Sequence, residues 1–517
     1  MSAPVSIIAN THTESSGTGR QTSHLRSDAR SIIAAAVGAT DDYVAIFCGS
    51  GTTAAIAKLI GVLGLRIPSN LEDRYGLSTH IPEHERPVVF VGPHEHHSNE
   101  LPWRETIADV VTIDEDADGH VNVSQLEEQL RHYRDRPLRI GSFSAASNVT
   151  GIMTDTAAVS ALLHRHGALA FWDFAAAASY VDINADAGPE TYFDAIFLSP
   201  HKFIGGPGTP GLLVARRELF TNRVPDMPGG GTVAYVNPST HDYLDDPVAR
   251  EEGGTPDIIG SIRAGLVFQL KDAVGVDTIA DRERQLLHEA INVWHDHPNL
   301  EVLGNLDAKR LSIVSFVVRD PGDHESVGER FLHHNFVVAV LNDVFGIQSR
   351  GGCSCAGPYG HRLLGIEPER SAAFQREIER GCEGIKPGWV RVSFNYFIDD
   401  ETHNYIIDAV SLVADRGHEL LSYYQFSPDS GLWTVRGGLA TPELSLHNVS
   451  YETPEMVAGV YPSPPPAEPL PNYLSRAVNM LDALIERADE PVQEQHATAD
   501  FEQLRWFRYP YEHANGD

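Results

Sequence analysis

DAIFLSPHKFIGGPGTPGLLVA, residues 194–215, holds two short apolar runs, 194–198 and 211–215, joined by a glycine-rich turn that carries a histidine and a lysine. Apolar runs of this length, bounded by Pro and Gly, read as buried strands. A lysine between two such strands is partly withdrawn from water, which lowers its pKa and frees the amine to attack an aldehyde. Lys202 is therefore the candidate Schiff-base lysine, with a solvated turn lysine as the plain alternative. The chain has only five lysines, and the other four, Lys58, Lys271, Lys309 and Lys386, stand in patterns expected of surface positions.

Working outward, the pattern repeats. Residues 43–65, YVAIFCGSGTTAAIAKLIGVLGL, read as strand, glycine-rich turn and helix. That order cradles an anion on the backbone N–H groups of Gly51, Thr52 and Thr53, and the absence of a terminal lysine separates it from a nucleotide P-loop. Strands are predicted at 87–91, 110–113, 138–143 and 168–172, with helices from 27, at 123–134 and at 157–166, so strands and helices alternate up to about residue 215. Alternation of this kind predicts an α/β core with a mixed, mostly parallel sheet. Asn148 and Asp173 fall at strand C-terminal ends, where open α/β sheets bind ligands. A carboxylate between Trp172 and Phe174 needs a cationic partner, and a protonated pyridine nitrogen would be one. His94, His96 and His97 lie within PHEHHSNELPW (93–103), but no second ligand cluster stands at a zinc-like spacing, so no metal is expected.

Helices at 262–274 and 276–294 close the large domain, and a second, smaller domain is expected from strands at 311–318, 336–341 and 389–394, a helix at 400–416 and the loop SRGGCSCAGPYG (349–360). The predicted boundaries are a mobile arm (1–26), a large domain (27–295), a small α+β domain (296–416) and a C-terminal extension (417–517). The extension holds short strands within 431–450, a proline-rich linker (460–471), an amphipathic helix (473–487) and an aromatic, arginine-rich tail (496–513).

The chain has 517 residues with 42% hydrophobic and 8% aromatic side chains, a soluble globular composition long enough for several domains. No apolar run reaches membrane-spanning length, and the N-terminus does not read as a signal peptide, so a cytoplasmic location is expected. A formal net charge of −32 argues against nucleic acid or an anionic membrane as partner. Four cysteines, Cys48, Cys353, Cys355 and Cys382, are too few for a disulfide scaffold of this size.

Taken in order, GSGTT, EHHSNELPW, SNVTG, WDFA, SPHK, GGTPDI, RGGCSCAGP and WVRVSF form a series that resembles the class V aminotransferase family, and most closely its cysteine desulfurase and selenocysteine lyase group. The resemblance covers roughly residues 27–415. It implies the PLP-dependent transferase fold (fold type I), with a seven-stranded-type sheet, and pyridoxal 5'-phosphate (PLP) as cofactor.

Carried over residue by residue, the resemblance implies that Lys202 holds the cofactor and moves the substrate's alpha proton. Thr52 and Thr53 would hold the phosphate, joined by Thr255 from a partner subunit, and Ser199 and His201 would bind it or orient the lysine. His96 would stack on the ring, Asp173 pair with its nitrogen and Asn148 donate to its oxygen. Arg391 would grip a small amino-acid substrate by its carboxylate, with Asn99, Trp103 and Arg350 as lesser candidates. Cys355 stands where the family's desulfurases carry their sulfur-accepting cysteine; its thiolate would take sulfur from L-cysteine as a persulfide and leave alanine. A homodimer with shared sites and a sulfur-acceptor protein are the partners implied.

Two positions depart from the family pattern. Ala176 replaces a glutamine three residues after the aspartate, and Ala54 replaces an acidic residue after the double threonine. Two alternatives follow: a class V enzyme without sulfur transfer (aminotransferase, epimerase or other lyase), and a non-catalytic scaffold. Cys353 is a resolving thiol, a metal ligand with His361, or a small loop residue.

Overall fold

Strands buried on both faces must be apolar at every position rather than at alternate ones. That is how residues 43–48, 88–91, 195–198 and 211–215 read, and the computed structural model of the chain pairs them in one sheet. It describes residues 9–11, 15–321, 330–438, 445–448, 468–484 and 497–510. Two units separate by their contacts: Met1–Gln285 with Gly304–Ile313 and Cys355–Tyr359, and Leu286–Leu303 with Val314–Ser354 and Gly360–Asp517.

The first unit is built on β1 (Tyr43–Cys48), β2 (Val88–Val91), β3 (Asp109–Thr112), β4 (Arg139–Ser144), β5 (Leu169–Asp173), β6 (Ala195–Leu198) and β7 (Gly211–Arg216). They form a seven-stranded sheet in the order β1-β7-β6-β5-β4-β2-β3, in which β7 alone runs against its neighbours. Side chains alternate between two buried layers, with Phe90, Phe143, Trp172 and Val214 on one face and Val89, Ile140, Phe171 and Leu213 on the other. Each of these large side chains contributes about 1.5–3 kcal/mol by leaving water.

The helices of this unit are α1 (Gly17–Ala36), α2 (Gly51–Val62), α3 (Ser69–Tyr75), α4 (His97–Arg104), α5 (Val123–His132), α6 (Thr156–Arg165), α7 (Pro247–Glu251) and α8 (Ile258–Val274). The side chains of Asn122, Asp155 and Asp257 cap α5, α6 and α8, each accepting an N–H from the first turn. A hairpin, β8 (Val233–Val236) with β9 (His241–Tyr243), precedes α7. The predicted mostly parallel α/β sheet is thus borne out.

Two sequence expectations fail in this unit for one reason. The first helix begins at Gly17 rather than Ser27, because its buried face includes Thr22 and Arg26, and Arg26 is paired with Glu252 at 2.5 Å. Lys58 and Lys271, expected on the surface, are buried. Lys58 Nζ lies 3.3 Å from Asp226 and 3.4 Å from Glu251, and Lys271 Nζ donates to the Val181 carbonyl at 2.5 Å. Polar residues were read as solvent-facing, yet distant partners let them be buried.

In the second unit β10 (Leu300–Val302), β11 (Ile313–Val318), β12 (Arg350–Gly352) and β13 (Trp389–Ser393) form a sheet in the order β10-β11-β13-β12. Its remaining elements include α10 (His334–Phe345), α12 (Pro368–Glu379) and α13 (Asp400–Arg416); α9 (Val276–Trp294) and α11 (Gly357–Leu363) each cross from one unit to the other. Residues 336–341, FVVAVL, were expected as a strand and are the middle of α10. A short apolar run has no readable period, and what decides here is the His333 N-cap and Gly346 in the left-handed conformation after the last turn.

Of the C-terminal hundred residues, the hairpin β14 (Tyr424–Phe426) with β15 (Trp433–Val435) and the helices α14 (Leu470–Leu484) and α15 (Ala499–Leu504) are described. Tyr424, Phe426, Trp433, Leu481, Phe501, Phe507 and Tyr509 join the same apolar cluster as Phe336, Val390 and Val413. Residues 460–467 of the proline-rich linker, and residues 1–8 and 12–14 of the N-terminal arm, lie outside the described residues. Among the described residues no helix is long and apolar enough to cross a membrane.

Candidate functional site

Gly51 enters α2 with φ +58°, and a methyl group there would lie 2.7 Å from His201 Cε1 and 2.9 Å from Ser199 Oγ. Glycine is required because the turn after β1 meets the SPHK turn without room for a side chain. Ser50, the N-cap residue of α2, makes no side-chain cap; Ser199 Oγ accepts the Thr52 N–H at 3.0 Å instead. A hydroxyl at the end of β6 thus performs the capping that Ser50 does not. Thr52 is buried, whereas Thr53 is exposed, with its hydroxyl 2.6 Å from Ser98 Oγ.

Ser98 links this turn to the histidines. Its N–H donates to His96 Nδ1 at 3.0 Å, so His96 caps α4 and a neutral ring carries its proton on Nε2. Asp173 ends β5 with 4% of its surface exposed and accepts the Ala175 N–H at 2.8 Å. Burial pushes its carboxyl pKa up, opposed by that hydrogen bond and by the charge of Lys202. Lys202 itself, in a single turn with Pro200 and His201, is exposed in the isolated chain. The withdrawal from water expected of it is not supplied by this chain alone: Phe203, next to it, packs into the core while Lys202 stays exposed. Partial burial and the neighbouring Lys202 lower the pKa of His201.

Sequence reasoning missed Glu95. It is 5% exposed and accepts hydrogen bonds from Ser144 N (2.8 Å), Ser144 Oγ (2.7 Å) and Asn99 Nδ2 (2.6 Å). Burial, with the nearby Asp173 adding to it, pushes its pKa up to about 7. An acid among three histidines, between an apolar strand and a helix, was the available signal. The same network corrects two minor expectations. Asn99 is fully buried, with Oδ1 accepting from Ser142 Oγ and Trp103 Nε1, and Trp103 stacks on Phe171 in the core. Their polar atoms are occupied within the protein rather than turned toward a substrate.

Asn148 is half-buried in the turn after β4, where Ser147 Oγ accepts two N–H groups, and Ser144 of β4 pairs in register with Asp173. Cys355 belongs to the first unit: its carbonyl accepts the His97 N–H at 2.8 Å, and the Gly357 N–H donates to His97 Nε2 at 3.2 Å. Ser354 and Cys355 have φ of 50° and 57°, two successive non-glycine residues in the left-handed region, at about 1–2 kcal/mol each. Cys355 is half-buried and Cys353 exposed. In the second unit, Arg391 stands opposite Arg350 across β13 and β12. Thr255 is exposed, beyond two carboxylates the sequence did not mark. Glu251 holds Lys58 of α2, while Glu252 holds Arg26 and Arg30 of α1 and accepts the Phe47 N–H at 2.8 Å. Among the described residues no group of three or more His, Cys, Asp or Glu would hold a metal ion.

The sequence profile described as "Aminotransferase class-V" matches residues 5–402. Over 274 residues the chain is 27% identical to a protein named "Probable cysteine desulfurase" from Halalkalibacterium halodurans and 28% identical to a cysteine desulfurase of Escherichia coli O7:K1. These matches cover 52% of this chain and 62% of each relative, so the chain spans less than two thirds of their length. Among solved structures, the apo cysteine desulfurase of Thermococcus onnurineus NA1 superposes with a TM-score of 0.63 at 24% identity, over 80% of this chain and 89% of that one. An Escherichia coli cysteine desulfurase in its S-sulfonic acid form gives 0.58 at 22%, over 80% and 88%. Both likenesses concern the fold.

Proposed function

Because the chain belongs to the class V aminotransferase family, we propose that it is a PLP-dependent cysteine desulfurase, taking sulfur from L-cysteine onto Cys355 and releasing alanine. The observation that carries this reading is the hydrogen bond from the His97 N–H to the Cys355 carbonyl, 2.8 Å, which ties the acceptor cysteine to the residue beside His96. The names of the relatives support it.

The residues present fit the family's cofactor. Gly51, Ser199 and His201 leave a cradle that a single Cβ would fill, and Asp173 is a buried carboxylate suited to a cationic partner. Thr52, Thr53, Ser199 and His201 would hold the phosphate, Lys202 the aldehyde carbon, and His96, Asp173 and Asn148 the ring. When bound, PLP supplies an electron sink for the substrate's alpha carbon.

The remaining work falls to side chains. Arg391, with Arg350 beside it, grips the substrate carboxylate through its two-pronged guanidinium. The Lys202 amine takes the alpha proton. The Cys355 thiolate attacks the substrate sulfur, so that an S–S bond forms as the C–S bond breaks. The electron pair of the broken bond stays with carbon, which takes up a proton and leaves as alanine, while Cys355 keeps the persulfide.

Thr255 would act in a partner's site within a homodimer. The chain on either side of Thr255 exposes Met227, Tyr235, Val236 and Ile259, large apolar side chains of the kind a second copy covers, which supports such an interface. A sulfur-acceptor protein and a cytoplasmic location complete the reading. Ala176, half-buried and without a hydrogen-bonding group three residues after Asp173, favours the second reading, a class V enzyme without sulfur transfer.

The test is an absorbance spectrum of the PLP-loaded protein before and after L-cysteine, with alanine and sulfide assayed together. A spectral shift with alanine and persulfide in the parent, and the shift without either product in Cys355→Ala, is expected. Product release by Cys355→Ala at the parent rate removes the desulfurase reading.

A further inference from the structure

Two successive non-glycine residues in the left-handed region do not hold that conformation unaided. Ser354 and Cys355 do, with φ of 50° and 57°, so contacts from outside the turn hold it. His97 is bonded to it twice. Its main-chain N–H donates to the Cys355 carbonyl at 2.8 Å, and its ring Nε2 accepts the Gly357 N–H at 3.2 Å, with the ring proton on Nδ1. A methyl on Gly357 would lie 3.4 Å from Nε2, in ordinary contact, so the ring packs directly on this segment.

The far end of the same segment is also held. Tyr359 is 1% exposed, its hydroxyl lies 3.2 Å from Thr150 Oγ1, and its ring meets His94 edge-on at 4.8 Å. Between these anchors Cys355 is half-buried, whereas Cys353, two residues earlier, is exposed.

We propose that His97 is the positioning residue of the Cys355 loop: a main-chain donor and a ring acceptor that clamp residues 355–357 and hold the strained turn, so that the thiol keeps one orientation. The proposal rests on the desulfurase reading for its purpose and on geometry alone for its existence. The two are separable by experiment.

Alkylation of Cys355 by iodoacetamide, followed by peptide mass spectrometry in a Cys353→Ser background, reads the clamp without any turnover. His97→Phe keeps an aromatic ring but removes the acceptor and is expected to raise the Cys355 alkylation rate about five-fold, the factor given by one neutral hydrogen bond of about 1 kcal/mol. His97→Gln, whose Oε1 stands near the place of Nε2, is expected to return the rate to that of the parent. In turnover His97→Phe lowers kcat for persulfide formation and leaves KM for cysteine and the cofactor spectrum unchanged. Alkylation of His97→Phe at the parent rate overturns the clamp, and so does failure of glutamine to restore it. In the unsubstituted protein the clamp also requires slow hydrogen exchange at the Gly357 amide, and fast exchange there overturns it whatever the variants do. A parent protein that forms no persulfide, with the alkylation pattern intact, removes the desulfurase reading and leaves the clamp standing.

Discussion

Replacing Glu95 by glutamine tests whether a buried acid behind Asp173 carries a proton at neutral pH. Burial raises the Glu95 pKa from the ordinary 4.5 to about 7 even though three donors favour its charge. Between those values the folded protein holds a proton that the unfolded chain has released, so stability falls as pH rises and is lost progressively up to about 7. At about 1.4 kcal/mol per pH unit the loss is about 3 kcal/mol. Glutamine does not titrate. Its amide faces Ser144 N–H or the Asn99 amide, donor against donor, at a pH-independent cost of about 1–3 kcal/mol. Urea unfolding of parent and Glu95→Gln, followed by circular dichroism from about pH 5 to about pH 8, should show the variant gaining on the parent by about 3 kcal/mol as pH rises. Parallel stability curves would refute the argument and return Glu95 to an ordinary ionised acid.

Two further substitutions probe the frame of the site. Gly51→Ala forces a methyl to within 2.7 Å of His201 Cε1 at φ +58°; a loss of about 1–2 kcal/mol in thermal melts, with weaker PLP retention, is expected, and unchanged PLP affinity would separate the cradle from the cofactor. Glu252→Ala strands Arg26 and Arg30 and leaves the Phe47 N–H without its acceptor. Removing one side of a buried pair costs about 3–5 kcal/mol, and a change well under 1 kcal/mol in urea unfolding would show that water replaces the carboxylate.

The parts of this protein that were legible in sequence are those governed by local rules. Strands buried on both faces are apolar throughout, so β1, β2, β6 and β7 announced themselves, and α9 and α13 were read with their observed ends because their periodicity is local. The glycine turn at Gly51 and the acid at Asp173 were legible for the same reason: each follows a strand that ends where a sheet binds ligands. Residues 336–341 were misread because a β-branched apolar run fits a strand and a buried helix equally, and only the packing of α10 in the second core settles it.

What the sequence determined alone was the order of the motifs, the mostly parallel sheet and the choice of Lys202, Asp173, His96 and Cys355 as candidates. Tertiary structure decided the rest. Whether a charge is buried depends on partners far away in the chain, as Glu251 is for Lys58 and Glu252 for Arg26 and Arg30. Glu95 and Asn99 form a buried network instead of a substrate contact, because the β4 serines reach both. His97 meets Cys355 across 258 residues of sequence, a proximity that only the folded chain creates.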